Sequence, residues 1–492
     1  DMDATNGFLD SKWYHLYCSV QRCNSALRVL NAATDEQVNG RVSRIAEMKV
    51  LRAHYYFELS RLFNKIPYFD ENVEISQYPD IPNNEFTRDE ILSMLAKEML
   101  DAAELLPASQ SEVGRIHKYI ALAYAAKIKL YQAYQQDEIT HAVTSINKEL
   151  LREVVSLCDQ VTASNRYGLL DDFQGLDLVT NENGKESVFA IQYSMNDGTE
   201  SAGRINWSNL LNSPGGGSPY GGDGFFLPSQ DLINAYQTDA NGLPDFNYQS
   251  KSDYSWAVLN NGVYTLQNTT PNVDPRLDFV VGRPTITWKT YPDKPCEGWV
   301  RDKDTYGYNC AKRFWVSPES SDMFNGWPWG ASQLNWQIIR YADILLWKAE
   351  ALIELNEGNG LETARDLINQ IRNRARNSAY VKDFNDHSKY AANYLVNPYP
   401  ADVWNQDYAR QALRWETRLE KALEGERFFD LVRWGIVETT MNKYITAESD
   451  NRIYYANAHF TGGKDEYYPV PNNQYGFSGG KYVQNPGYAP FN

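Results

Sequence analysis

Residues 338 to 376 constrain the fold more than any other part of the sequence. Ile338, Ala342, Leu345, Leu346, Ala349, Leu352 and Ile353 recur at three- and four-residue spacing and share one broad stripe of a helical wheel. A second stripe, Arg340, Asp343, Trp347, Glu350 and Glu354, lies roughly a third of a turn away. The turn EGNG and a second amphipathic run to residue 376 complete a helical hairpin, in which Ala349 and Ala364 are small enough for close helix contact. The spacing predicts helix from Ile338 onward. A helix with two occupied faces touches partners on two sides, so Arg340 and Asp343, three apart, are expected to pair and to bridge to a neighbour.

The hairpin resembles a tetratricopeptide unit with a lengthened turn. Similar Ala-and-aromatic segments recur at AEMKVLRAHYYFELSRLF, IALAYAAKIKLYQAY and RLEKALEGERFFDLVRWG, at irregular intervals. Apolar spacing predicts further helices over residues 13–30, 42–63, 88–106, 116–134 and 148–163, so the first 170 residues read as all helix. Thr87 followed by Glu90 forms a capping box, and Pro67, Pro107 and Gly114 mark stops.

Between about residues 171 and 335 the aliphatic periodicity largely disappears. Runs such as SVFAIQY and LDFVVG suggest short strands, separated by turn clusters such as SPGGGSPYGGDG. Long loops carrying this many aromatics are expected to be ordered and functional.

The formal net charge of −16 repels polyphosphate, which argues against a nucleic-acid partner. The longest apolar runs fall far short of the roughly 20 residues of a spanning helix. The chain begins at Asp1 without a basic or apolar leader, and so reads as a mature or trimmed product. Five cysteines leave at least one unpaired; Cys296 and Cys310 flank a loop that a disulfide can close, whereas Cys18 and Cys23 diverge on a helix.

No HExxH or CxxC spacing is present, so no transition-metal site and no cofactor are expected; a structural calcium held by loop carboxylates stays open. The glycines of GGGSPYGG lack the strand before and the Lys-bearing helix after that a phosphate cradle needs. Glu420, Glu424, Glu426 and Asp430 are interleaved with Arg418, Lys421, Arg427 and Arg433, which lowers those acids instead of holding one protonated for catalysis; an ion network is expected there.

The aromatics carry the sharper signal. Trp288, Trp299, Trp315, Trp327 and Trp329 lie in loop-like segments rich in Gly, Pro and charge, and a rigid indole face suits the C–H surface of a sugar ring. Neighbours such as Arg301 and Asn325 would satisfy hydroxyls. The competing reading is that these tryptophans fill a small core beneath the loops.

Eight segments in register resemble the SusD/RagB family of outer-membrane nutrient-binding lipoproteins of Bacteroidetes: AEMKVLRAHYYFELSRLFNKIPYF, EFTRDEILSMLAKEMLDAAELLP, GRIHKYIALAYAAKIKLY, FFLPSQDLINAYQTDANGLP, VDPRLDFVVG, IIRYADILLWKAEALIELN, RLEKALEGERFFDLVRWG and YYPVPNNQ. The resemblance implies a mainly α fold: a tetratricopeptide-like helical-hairpin scaffold with an irregular loop-rich face carrying short strands. The expected layout is a helical scaffold over 1–170, a ligand-facing region over 171–335, a helical-hairpin scaffold over 336–435 and a C-terminal loop region over 436–492, in one fused globular unit. It further implies a non-enzymatic protein that captures glycan at the cell surface and passes it to a SusC-like TonB-dependent transporter as its lid, with a lipid anchor on a cysteine upstream of Asp1. A peptide-binding member of the family is the nearest alternative, and a glycoside hydrolase on a helical scaffold a more distant one. In similar proteins the loop after the first signature helix faces the ligand, which adds Tyr68, Asn72, Tyr78 and Asn83 as candidates.

Overall fold

The computed structural model describes the chain except for residues 1, 200–202, 209–210, 212–213, 216, 219–220, 262, 268–270, 290–297, 317–319, 328–329 and 492. The fold is mainly helical, with only short two-stranded pairings among the described residues. Among the described residues no helix is long and apolar enough to cross a membrane. The chain divides into two compact units: Asp1–Arg166 with Phe428–Thr440 and Phe460–Asn492, and Tyr167–Arg427 with Met441–His459.

In the first unit, α1 (Gly7–Ala32), α2 (Arg41–Phe63), α3 (Arg88–Leu105), α4 (Lys118–Ala133) and α5 (Lys148–Ala163) each pack on the next in sequence. Helix α1 buries Leu9, Trp13, Leu16, Val20, Cys23 and Leu27, a stripe at three- and four-residue spacing. Helix α4 has partners in both α3 and α5 and is buried nearly all round. Asn6 caps α1, Asn147 caps α5, and the Thr87–Glu90 box caps α3, each satisfying N–H groups that the first helical turn leaves unpaired. The all-helix expectation fails at one place: β1 (Tyr134–Gln136) pairs antiparallel with β2 (Val143–Ile146). Here Asp137 accepts from the backbone N–H groups of Ile139 and Thr140 and turns the chain back.

In the second unit, α6 (Tyr341–Leu355), α7 (Gly360–Asn377) and α8 (Gln406–Glu420) pack on one another around Ala342, Leu345, Leu346, Ala349, Ile353, Ala364, Ile368 and Leu413. The helix begins at Tyr341, not Ile338. Residues Trp336–Arg340 form β4, antiparallel to β3 (Ser187–Ile191), and Asp343 accepts from the Arg340 backbone N–H at 2.8 Å to start the helix. The run LDFVVG is also mostly helical, with Arg276–Val280 a helix and only Val281–Gly282 in a strand.

The charged stripe of α6 is buried. The Arg340 side chain, 1% exposed, reaches Glu186 at 3.0 Å, Glu420 at 2.6 Å and Glu424 at 2.9 Å. Arg374 binds Glu186 and Glu420, Arg276 binds Asp274, Glu416 and Glu420, and Arg313 joins Glu424 to Asp177. Lys421 closes the circuit between Asp343 at 2.6 Å and Glu424 at 2.7 Å. Arg340 and Asp343 are therefore linked through the backbone N–H and through Glu424–Lys421, and their partners come from other elements of the same unit. Burial by itself raises the Glu420 carboxyl, but Arg374, Arg340 and Arg276 outweigh it and hold the group down at about 2. Glu424 is lowered likewise, with Arg340, Lys421 and Arg313 overcoming burial.

Candidate functional site

The loop-rich part of the second unit has few aliphatic residues, and tryptophan supplies its core. Trp288, Trp299 and Trp315 are buried with Cys310, and Met323 packs against them. The Trp288 and Trp299 rings meet edge to face at 5.7 Å, and the Trp288 indole N–H points at the Ala311 carbonyl at 3.4 Å. Gly282 is required at this point, since a Cβ there would lie 2.6 Å from both the Cys310 sulfur and a Trp288 ring carbon. Of the five loop tryptophans, these three use their faces for packing, so in this conformation they offer none to a sugar ring. Trp329 and Cys296 lie outside the described residues.

Trp327 behaves differently. It is 64% exposed, and Trp207, 42% exposed, meets it edge to face with ring centroids 5.1 Å apart. Two isolated antiparallel bridges bring the segments together: Ser332 pairs with Asn206 on one side and with Met323 on the other. Asn206 is buried, donating its backbone N–H to Ser332 at 2.8 Å and its side-chain amide to the Leu334 carbonyl at 3.2 Å, so Trp207 hangs from a fixed anchor. Gly326, at φ +118°, supplies the turn immediately before Trp327 that a side-chain-bearing residue rarely adopts. Asn325 is exposed on the same loop. Sequence reasoning passed over Trp207, although NWSN carries the same signal as NGW: an indole among Asn, Ser and Gly with no helical stripe to bury it.

Arg301 keeps 57% of its side chain exposed while one guanidinium nitrogen donates to the Gly222 carbonyl at 2.6 Å and lies 3.7 Å from Asp223. The guanidinium is thus oriented and still accessible. Beside the Ser332 joint, Asp322 accepts from the Gln333 side chain at 2.6 Å. Burial raises the Glu182 carboxyl to about 7, helped by the Asp322 charge.

The same unit contains an open cleft of about 520 Å³ whose walls include Asp171, Asp177, Lys185, Lys289, Lys312 and Trp315. Lys289 reaches Asp177 at 3.3 Å on its wall. Burial pushes the Lys312 ammonium down to about 8, and that group donates to the Thr287 carbonyl at 2.9 Å. Among the described residues no group of three or more His, Cys, Asp and Glu is disposed to hold a metal ion.

The four candidates from the loop after α2 belong to the first unit. Asn83 is fully buried and bridges two chain segments, donating to the Lys65 and Val483 carbonyls and accepting from the Val483 N–H. Tyr78 stacks on Phe69 at 3.9 Å and bonds Arg28 at 2.9 Å. Tyr68 packs on Tyr56 at 4.7 Å and is half-buried. Asn72 alone of the four is exposed, held to Asp70 at 2.9 Å through its backbone N–H.

Comparison with known proteins places this architecture. Residues 185–488 match the model of the SusD family, and residues 1–130 match a model described as starch-binding associating with outer membrane. A SusD-like protein of Bacteroides ovatus is 22% identical over 87% of the chain, and the match spans 65% of that relative's length, just under two thirds. SusD-like protein P2 of Formosa agariphila is 24% identical over 99% of the chain and 82% of the relative. Among solved structures, a SusD homologue from Bacteroides thetaiotaomicron superposes with a TM-score of 0.71 at 19% identity, covering 99% of this chain and 87% of that one. Surface glycan-binding protein A from the same organism, solved in complex with laminarihexaose, superposes with a TM-score of 0.61 at 18% identity, covering 96% and 85%.

Proposed function

Since the chain belongs to the SusD family, we propose that it captures oligosaccharide or polysaccharide outside the outer membrane and passes it to a SusC-like TonB-dependent transporter, for which it acts as the lid. The observation that carries the binding reading is the exposed edge-to-face pair Trp207–Trp327, held beside one another by the bridges to Ser332. Two flat, rigid faces at an angle suit a curved or branched glycan better than an extended peptide, and indoles lose little entropy on binding. A structural neighbour named as laminarin binding and the laminarihexaose complex make these two glycans the first to try. The family model's phrase "associating with outer membrane" supports the location; a lipid on a cysteine upstream of Asp1 would tether the protein there.

The protein acts without catalysis in this reading. Of the four acids weighed for hydrolysis, Glu420, Glu424, Glu426 and Asp430, the first two are buried and held ionised by cations, so neither is available as a proton donor near pH 7, and Asp430 is paired with Arg433. No cofactor is required.

Isothermal calorimetry of the chain against a panel of soluble polysaccharides headed by laminarin tests the ligand class, with reducing-sugar release followed in the same mixtures. Saturable binding that weakens in Trp207→Ala and Trp327→Ala, without sugar release, supports the proposal. Binding indifferent to both substitutions, or a preference for peptides over every glycan, overturns it. Purification of the tagged native protein from membranes in mild detergent tests the partner, since a lid must co-purify with its barrel.

A further inference from the structure

The cleft of about 520 Å³ in the second unit has the size of a small-ligand site, roughly 300–1,000 Å³, and neither indole of the exposed pair is on its wall. Local sequence builds one part of that wall. Asp172 accepts from the Gln174 N–H at 2.9 Å and starts the short turn Phe173–Asp177, and Val179–Asn181 forms a second turn. The Asn181 side-chain amide donates to the Gly175 carbonyl at 2.9 Å and ties the two turns together. Glycine is required at 175, since a Cβ there would lie 2.9 Å from the same nitrogen. Leu178, between the turns, is left 52% exposed on the cleft wall.

Backbone strain sets another part. Lys289 at φ +47° and Phe314 at φ +67°, the residue before Trp315, both adopt a left-handed conformation that side-chain-bearing residues rarely take, and such strain gathers at ligand sites. The Lys289 ammonium reaches Asp177 at 3.3 Å and the Trp315 carbonyl, which uses two of its three N–H donors, and the side chain keeps 16% of its surface exposed. The Gln174 side chain donates to the Ala379 carbonyl at 2.9 Å; its amide oxygen and that of Asn181 have no partner among the described residues. Both residues are half-buried on the wall.

We propose that this cleft is a second glycan subsite, which takes an uncharged stretch of the polysaccharide held by the indole pair. An accessible ammonium and two amide oxygens supply a donor and acceptors for hydroxyls, and exposed Leu178 supplies an apolar surface for the C–H face of a ring. Asp171, Asp172 and Asp177 are matched in number by Lys185, Lys289 and Lys312, so the wall carries no net charge and offers a uronic or sulfated unit no net attraction. The cleft also adjoins the joint beneath the indoles. Val179, between the cleft residues Leu178 and Asn181, and Met323, which bridges to Ser332, pack against the same small core of Phe314, Val316 and Leu334. Glu182, directly after Asn181, accepts from the Asn335 N–H at 2.5 Å. One glycan chain therefore has a continuous support from platform to cleft.

This inference rests on the glycan reading, so its test first removes the indole pair. The full chain carrying Trp207→Ala and Trp327→Ala is examined by saturation-transfer difference NMR with laminaritriose, cellotriose, maltotriose, xylotriose and trigalacturonic acid, each at millimolar concentration. We expect at least one neutral trisaccharide to give a signal that survives the double substitution and falls at least tenfold when Leu178→Glu is added. Leu178 is exposed, so the melting temperature should not change; Leu178→Ser, which removes the same apolar surface without adding a charge, is the second variant and should weaken the same signal. No signal from any neutral trisaccharide, a stronger signal from trigalacturonic acid than from all of them, or a signal indifferent to both Leu178 substitutions overturns the assignment. The glycan reading is judged separately, by wild-type polysaccharide binding and its response to the tryptophan substitutions. If that reading holds while the trisaccharide signal ignores Leu178, only the cleft assignment falls.

Discussion

Replacing Glu420 by glutamine tests whether the buried ion network stabilises the second unit. Glu420 is fully buried; one carboxylate oxygen receives Arg340 at 2.6 Å and also Arg374, and the other receives Arg276 at 3.2 Å. Glutamine has nearly the same shape but brings an NH₂ group that must point at a guanidinium, leaving two sets of donors opposed. Removing one partner from a buried ion cluster costs about 3 to 5 kcal/mol. The lowered carboxyl gives a second figure: held at about 2 instead of its ordinary 4.5, it corresponds to about 3 kcal/mol of preference for the charged form. The sign follows from the lowered pKa. The stabilisation is complete above pH 4.5 and is lost as pH falls from there through about 2. Scanning calorimetry at pH 7 should therefore show Glu420→Gln lowering the melting temperature by on the order of 5 to 10 °C. The gap between variant and wild type should then close as the pH is lowered through that window, because the protonated Glu420 carboxyl and the amide that replaces it are both uncharged. A gap below 2 °C at pH 7, or one that stays constant down to pH 2, would refute the network as a source of stability.

Trp207→Ala and Trp327→Ala should each weaken glycan binding by about 1 to 3 kcal/mol, by analogy with ring stacking on nucleic-acid bases, with the melting temperature unchanged because both indoles are exposed. Trp288→Ala should behave in the opposite way, costing about 3 to 5 kcal/mol of stability in denaturant unfolding; a fully stable variant would mean that the tryptophan core does not hold these loops. Ala349, fully buried where α6 meets its neighbours, leaves no room for growth, so Ala349→Leu should cost about 1 to 3 kcal/mol in the same assay.

The helices were legible because their signal is local. The buried stripe of α1 and the Thr87–Glu90 cap depend on residues within a turn or two of each other. The start of α6 was misplaced because Ile338 and Ile339 fit a helical stripe as well as a strand; pairing with Ser187–Ile191, about 150 residues earlier in the chain, decides between them. Arg340 and Asp343 do join one ion network, but not as the direct pair their spacing suggested: Arg340 pairs with Glu186, Glu420 and Glu424, and Asp343 with Lys421. Members such as Glu186 and Arg374 could not be named from spacing, since only the tertiary fold brings them to Arg340 and Glu420.

The tryptophans show the same limit in the site itself. A stretch poor in Leu, Ile and Val must still bury apolar area to order its loops, and each indole supplies roughly 150 to 250 Å². Composition therefore cannot separate a tryptophan that orders a loop from one that the loop displays. Trp288 and Trp327 both follow a Gly- or Pro-bearing turn segment, yet one is fully buried and the other is 64% exposed. The difference arises from what surrounds each: the strand pair Val281–Gly282 and Cys310–Ala311 closes over Trp288, whereas the Asn206–Ser332–Met323 bridges end short of Trp327 and hold Trp207 beside it. Burying three indoles stiffens the framework from which Trp207 and Trp327 project. A pair of rigid faces fixed before the ligand arrives has little ordering entropy left to lose on binding, so under the proposed function the buried tryptophans would contribute to recognition without touching the glycan.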